Sequence, residues 1–114
     1  MQIIIDYTGK KIKLDVRKTG FFSKGLGLMF RSRKTKNLLF EFGKDVKSFF
    51  HSFFVFFPFL IIFLDKNNKV IECRIVKPFQ SCIKPKEKYR KVIEIPFNFD
   101  NKKIIELLTR KGNL

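Results

Sequence analysis

The chain has 114 residues and a mass of 13.6 kDa, which predicts one domain spanning residues 1–114 and leaves no room for a second core. Its 45% hydrophobic content excludes disorder as an overall description. With 25 Lys and Arg against 10 Asp and Glu, the formal net charge is +15, so an electrostatic partner has to be anionic. The chain has 16 Phe but no Trp and no Ala, a bias that an AT-rich genome imposes on any protein. Charge therefore names the sign of a partner and not its kind.

Gln2 to Tyr7 and Lys11 to Val16 read as paired strands around a Thr8-Gly9-Lys10 turn, the second strand alternating polar and apolar with a period of two. From Thr19 to Gly27 the glycines Gly20, Gly25 and Gly27 interrupt an apolar run, which predicts a short, poor helix before Leu28-Met29-Phe30. Arg31 to Asn37 carries four cations and no acid and reads as an exposed loop. Leu38 to Phe42 reads as a strand ended by Gly43.

Phe49 to Leu64 is the most hydrophobic stretch. It is shorter than the ~20 apolar residues a spanning helix needs, and it holds His51, Ser52 and Pro58. Two consecutive buried strands broken at Pro58, the second from Phe59 to Leu64, fit it better. Any part of it left exposed is a candidate dimer seam. Asp65 to Lys69 is turn chemistry, Val70 to Val76 the returning strand and Val92 to Ile95 a further one. Beyond Pro96, Ile104, Ile105, Leu107 and Leu108 share one helical stripe, with Asp100 as predicted N-cap and Gly112 as the residue past the end. The expectation is a mainly β domain, a small barrel-like or curled sheet with short helices including one near the C-terminus.

The first residues lack the features of a secretory signal, which predicts a cytoplasmic protein. Cys73 and Cys82 are too few for a disulfide framework and are expected to be reduced and largely buried.

Several segments, in order, resemble the family named domain of unknown function 192. Gly27-Leu28-Met29-Phe30-Arg31 resembles its Gly-Leu-Met-Phe-Arg signature, and Leu39-Phe40-Glu41-Phe42 its next strand. His51 to Pro58, Ile62-Phe63-Leu64-Asp65, Lys69-Val70, Lys77-Pro78 and Val92-Ile93-Glu94-Ile95-Pro96 continue the register, so the resemblance covers about residues 11–96. Leu60 stands where the family usually has an aspartate, and Phe54-Val55-Phe56 where many members have Trp-Met-Lys. The resemblance implies a small, predominantly β, barrel-like fold and assigns no activity.

No metal constellation, phosphate loop or serine elbow is visible, and no cofactor is expected. His51 is the only histidine, and Ser52 beside it would point to the opposite face of a strand, so a structural role is expected for it. Arg31 reads as a loop clamp or an anion grip; together with His51 it marks where a small-molecule or hydrolytic pocket would lie. The stronger functional signal is basic. Arg31, Arg33, Lys34 and Lys36 form one cluster, and Lys84, Lys86, Lys88 and Arg90 another. Converging on one face, with Tyr89 and an exposed Phe as stacking surfaces, they would track the phosphates of a nucleic acid. The expected function is a non-enzymatic module binding nucleic acid or an acidic protein. The small-molecule or hydrolytic pocket is the alternative, and adsorption to an anionic membrane surface a third reading.

Overall fold

Thr8 and Gly9 both have positive φ, 51° and 89°, the pair of left-handed residues that a two-residue type I′ turn requires. They join strand β1 (Gln2–Tyr7) to β2 (Lys10–Asp15) as an antiparallel hairpin. The Gly9 amide and the Lys11 ammonium both donate to the Asp6 carboxylate, at 2.8 and 3.2 Å, which holds that carboxyl below its usual pKa range. The computed structural model describes residues 1–19, 32–48, 52, 55–80 and 82–112.

The remaining strands are β3 (Arg17–Thr19), β4 (Leu38–Val46), β5 (Phe59–Leu64), β6 (Val70–Val76) and β7 (Tyr89–Pro96). They form one sheet in the order β3-β4-β7-β5-β6, curled but not closed. β3 runs parallel to β4, and the other pairings are antiparallel. Helix α1 (Lys102–Gly112) follows a 3-10 turn at Phe99–Asn101. No helix among the described residues is long and apolar enough to cross a membrane.

Every residue of β5 is buried because the sheet has a core on each face. Phe59, Ile61 and Phe63 join Leu38, Phe40, Tyr89 and Val92 in a Phe-rich core. Leu60, Ile62 and Leu64 join Leu39, Ile93 and Ile95 in an aliphatic core on the opposite face. The hairpin covers the aliphatic core with Ile3, Ile5, Ile12, Leu14 and Val16, and α1 covers it with Leu108 and the flanking Ile104, Ile105 and Leu107. Two-sided burial is why the strand reads as an unbroken apolar run rather than an alternation.

The Asp65 to Lys69 turn forms as its residues require. Asp65 Oδ1 accepts from the amides of Asn67 and Lys69, and Asn68 takes φ 65°. Asn68 also ties the hairpin to the sheet, since its carbonyl accepts from the Asp6 amide and its side chain donates to the Ile4 carbonyl.

Several expectations are corrected. The first of the two strands expected around Pro58 is not formed by the described residues of its stretch, Ser52 and Val55 to Phe57, the remainder lying outside the described residues. Val55 and Phe57 pack into the Phe-rich core while Phe56 faces out, because both neighbours of β5 are already taken by β6 and β7. β4 does not end at Gly43. A register shift between Glu41 and Val46 absorbs the glycine and the ladder resumes at Val46 opposite Tyr89. The cap is Asn98, whose side chain accepts from the Asn101 amide at 3.0 Å, leaving Asp100 in the first turn. Gly112 is the last residue of α1 rather than the residue past its end. Both cysteines are free, but Cys73 is half-buried and Cys82 exposed, the buried position beside it being filled by Ile83. The region predicted as a helix lies, past Thr19, outside the described residues.

Candidate functional site

Four lysines from three separate stretches of chain meet around one cleft of about 750 Å³. Lys13 comes from β2, Lys34 and Lys36 from the loop before β4, and Lys103 from the first turn of α1; Asp15 and Asp100 are the acids on the same lining. The alternation of β2 turns Ile12 and Leu14 into the core and leaves Lys13 outside. The loop is fastened along its length. Ser32 accepts from the Lys34 and Thr35 amides, Asn98 Nδ2 donates to the Arg33 carbonyl at 2.9 Å, and Asn37 Nδ2 donates to the Asp15 carbonyl at 3.0 Å. The Arg17 amide closes on the Asn37 carbonyl at 2.7 Å. Lysine ammonium groups are strongly hydrated point charges on flexible stems, so this cleft suits a flexible polyanion better than a planar carboxylate that needs bidentate clamping.

The second basic cluster lies elsewhere. Lys88 immediately precedes the start of β7, whereas Asn98, which holds Arg33, follows its end; an eight-residue strand separates them by roughly 25 Å. That cluster is also interleaved with acids. The Arg74 guanidinium pairs with Glu72 and donates to the Lys84 carbonyl, Glu72 Oε1 accepts from the Lys86 amide, and Arg90 pairs with Asp45 at 3.1 Å. Lys84, Lys86 and Lys88 remain exposed.

Arg31 and His51 lie outside the described residues. Ser52, next to His51 in sequence, is fully buried and fully engaged. Its hydroxyl donates to the Lys77 carbonyl at 2.8 Å and accepts from the Gln80 amide at 2.6 Å. Its backbone exchanges further bonds with Phe79 and Gln80, so it fastens the turn after β6. Tyr89 is not a stacking surface, a correction to the sequence reading. Its ring is fully buried against Phe42 and Phe63, and its hydroxyl donates to the Ser48 carbonyl at 2.6 Å. Burial pushes its pKa up to about 12.

Three contributors went unnoticed in the sequence. Lys13 and Lys103 look like ordinary solvent-facing positions of an alternating strand and an amphipathic helix, and only the tertiary fold brings them to the loop. Phe99 carries a readable signal, an aromatic residue inside the polar run Asn98 to Lys103, and it is 90% exposed. Glu94 is the reverse, an acid 4% exposed at the β7 position facing Leu38 and Ile61 in the Phe-rich core. Leu60, where the family resemblance would place an aspartate, is wholly buried in the aliphatic core, so packing replaces any carboxylate there. Among the described residues no group of three or more His, Cys, Asp and Glu could hold a metal ion.

Comparison with solved structures bears on the fold. The chain is similar to a proposed transcription regulator from Sinorhizobium meliloti, with a TM-score of 0.71 and 19% identity over 89% of this chain and 81% of that one. It is also similar to a protein of unknown function from Novosphingobium aromaticivorans, with a TM-score of 0.67 and 18% identity over 83% of this chain and 71% of that one. No curated protein gives a significant match. The family model for domain of unknown function 192, described as an uncharacterized ACR, matches residues 3–107, and the chain therefore belongs to that family.

Proposed function

We propose that this protein is a non-enzymatic binding module whose lysine-rimmed cleft engages the phosphate backbone of a nucleic acid. The observation that supports the reading is the meeting of Lys13, Lys34, Lys36 and Lys103 on one cleft, from segments far apart in sequence and fastened by hydrogen bonds. Contacts of ammonium groups to phosphate carry no base information, so binding is sequence-tolerant and weakens steeply with salt as counterions are released. The description of the Sinorhizobium meliloti neighbour as a proposed transcription regulator makes nucleic acid the anion to test first. Arg33 is adjacent in the same loop, while Lys84, Lys86, Lys88 and Arg90 form a secondary patch in which Arg90 is paired with Asp45.

Fluorescence anisotropy of a labelled oligonucleotide over a salt series tests the proposal. The expected result is binding at low salt, with Lys34→Gln, Lys36→Gln and Lys103→Gln each lowering the slope of log K against log salt by about 0.7–0.9. Absence of binding at low salt overturns it. So does binding that responds only to Lys84→Gln, Lys86→Gln and Lys88→Gln, and a complex formed only with an acidic protein assigns the cleft to that partner instead.

A further inference from the structure

We propose that Phe99 is a base-stacking platform beside the lysine cleft, so that the bound nucleic acid is single-stranded; the inference rests on the reading of the cleft given above. Phe99 is the most exposed large hydrophobic residue among those described, at 90%. Its position is nonetheless fixed. Asn98 caps the Asn101 amide at 3.0 Å, and Asn101, itself buried, donates to the Pro96 carbonyl at 2.8 Å, so the 3-10 turn that carries Phe99 is held from both sides. A ring held out in water forgoes the stabilisation of burial and gains nothing for the fold.

The surroundings say what such a ring would meet. It lies on a groove of about 770 Å³ that carries Arg33, Lys34 and Lys102. That groove shares Lys34, Asn98 and Asp100 with the lysine cleft, so the two form one continuous surface. An aromatic ring bordered by cations matches a strand whose base lies on the ring while its flanking phosphates reach the ammonium groups. Asp100 and Glu106, on the same groove, repel phosphate and steer the backbone toward the Arg33, Lys34 and Lys102 side. A duplex keeps its bases stacked on one another and offers no free face to Phe99, which makes the preference one for single strands.

The test compares a labelled thymidine oligodeoxynucleotide, a uridine oligoribonucleotide and a duplex against wild type, Phe99→Ala, Phe99→Tyr and Lys34→Gln. Phe99→Ala is expected to weaken single-strand binding about 5- to 150-fold, to leave the salt slope unchanged because no phosphate contact is lost, and to leave duplex binding as in wild type. Phe99→Tyr keeps the π face and binds within about twofold of wild type. Tighter wild-type binding of the ribo-oligomer than of the deoxy-oligomer identifies RNA as the strand; equal binding shows that either is bound. The exposed ring makes loss of folding no confounder, and equal thermal midpoints for wild type and Phe99→Ala check this. Unchanged single-strand binding by Phe99→Ala with weakened binding by Lys34→Gln overturns the stacking inference and leaves the cleft standing. Equal weakening on single strand and duplex also overturns it, whereas no binding by wild type at low salt overturns the reading of the cleft itself.

Discussion

Thr8 carries a β-branched side chain at φ 51°, a conformation in which Cβ crowds the backbone and which such residues rarely adopt. Its hydroxyl reaches its neighbour's carbonyl at 2.7 Å, a weak return for the strain in an exposed turn. Thr8→Asn creates the Asn-Gly pair that type I′ turns prefer and is expected to stabilise the fold by about 1 kcal/mol, measured as a rise of a few degrees in the thermal midpoint. Ser52 is the opposite case, since its side chain is wholly buried and Ser52→Ala removes its bonds to the Lys77 carbonyl and the Gln80 amide at once. A loss of about 2–3 kcal/mol in urea unfolding is expected, with faster amide exchange in the turn after β6. Tyr89 sets the alkaline limit. The unfolded phenol ionises near its ordinary 10.0 and the folded one near 12, so its contribution is complete below pH 10 and is lost as pH rises toward 12, where only the unfolded chain releases the proton. Urea midpoints across that window should fall with pH, and less so in Tyr89→Phe.

Asn98 couples two elements, capping the turn that leads into α1 with its oxygen and holding the Arg33 carbonyl with its amide nitrogen. Asn98→Ala should therefore cost about 1–2 kcal/mol, and the loop bearing Lys34 and Lys36 should lose its amide protection together with the first turn of the helix. Cap and loop were unequally legible in the sequence. Asn98 and Asp100 are both good capping residues, and only the 3-10 turn between Pro96 and Lys102 selects the earlier one. β5 was readable because burial on both faces removes every polar residue from it, and α1 because its stripe repeats at helical spacing. β3 was not. Arg17, Lys18 and Thr19 have no apolar pattern, and they are a strand only because β4, some twenty residues on, supplies a parallel partner. The site follows the same division: the run Arg33 to Lys36 is visible as local charge, whereas Lys13 and Lys103 join it through the docking of hairpin and helix on one aliphatic core.

At the scale of the whole molecule the controlling quantity is a net charge of +15 within extents of 34 × 32 × 28 Å. Among the described residues the ion pairs are Lys11 with Asp6, Lys18 with Glu41, Arg74 with Glu72 and Arg90 with Asp45, and partly exposed pairs of this kind offset little of the repulsion. At 0.01 M salt the screening length is about 30 Å, as large as the protein, so every lysine opposes folding through all the others; at 0.15 M it is about 8 Å and only neighbours count. Sodium chloride should therefore raise the thermal midpoint across that range. The location of the repulsion is a separate question, and paired variants answer it. Replacing Lys34, Lys36 and Lys103 by Gln removes three charges crowded on one cleft, and should raise the low-salt midpoint and flatten its salt dependence. Replacing Lys84, Lys86 and Lys88 removes the same charge from exposed positions with Glu87 between them, and should do less. Equal responses from the two variants would mean that the charge is spread evenly, leaving the cleft with no field of its own to draw in an anion.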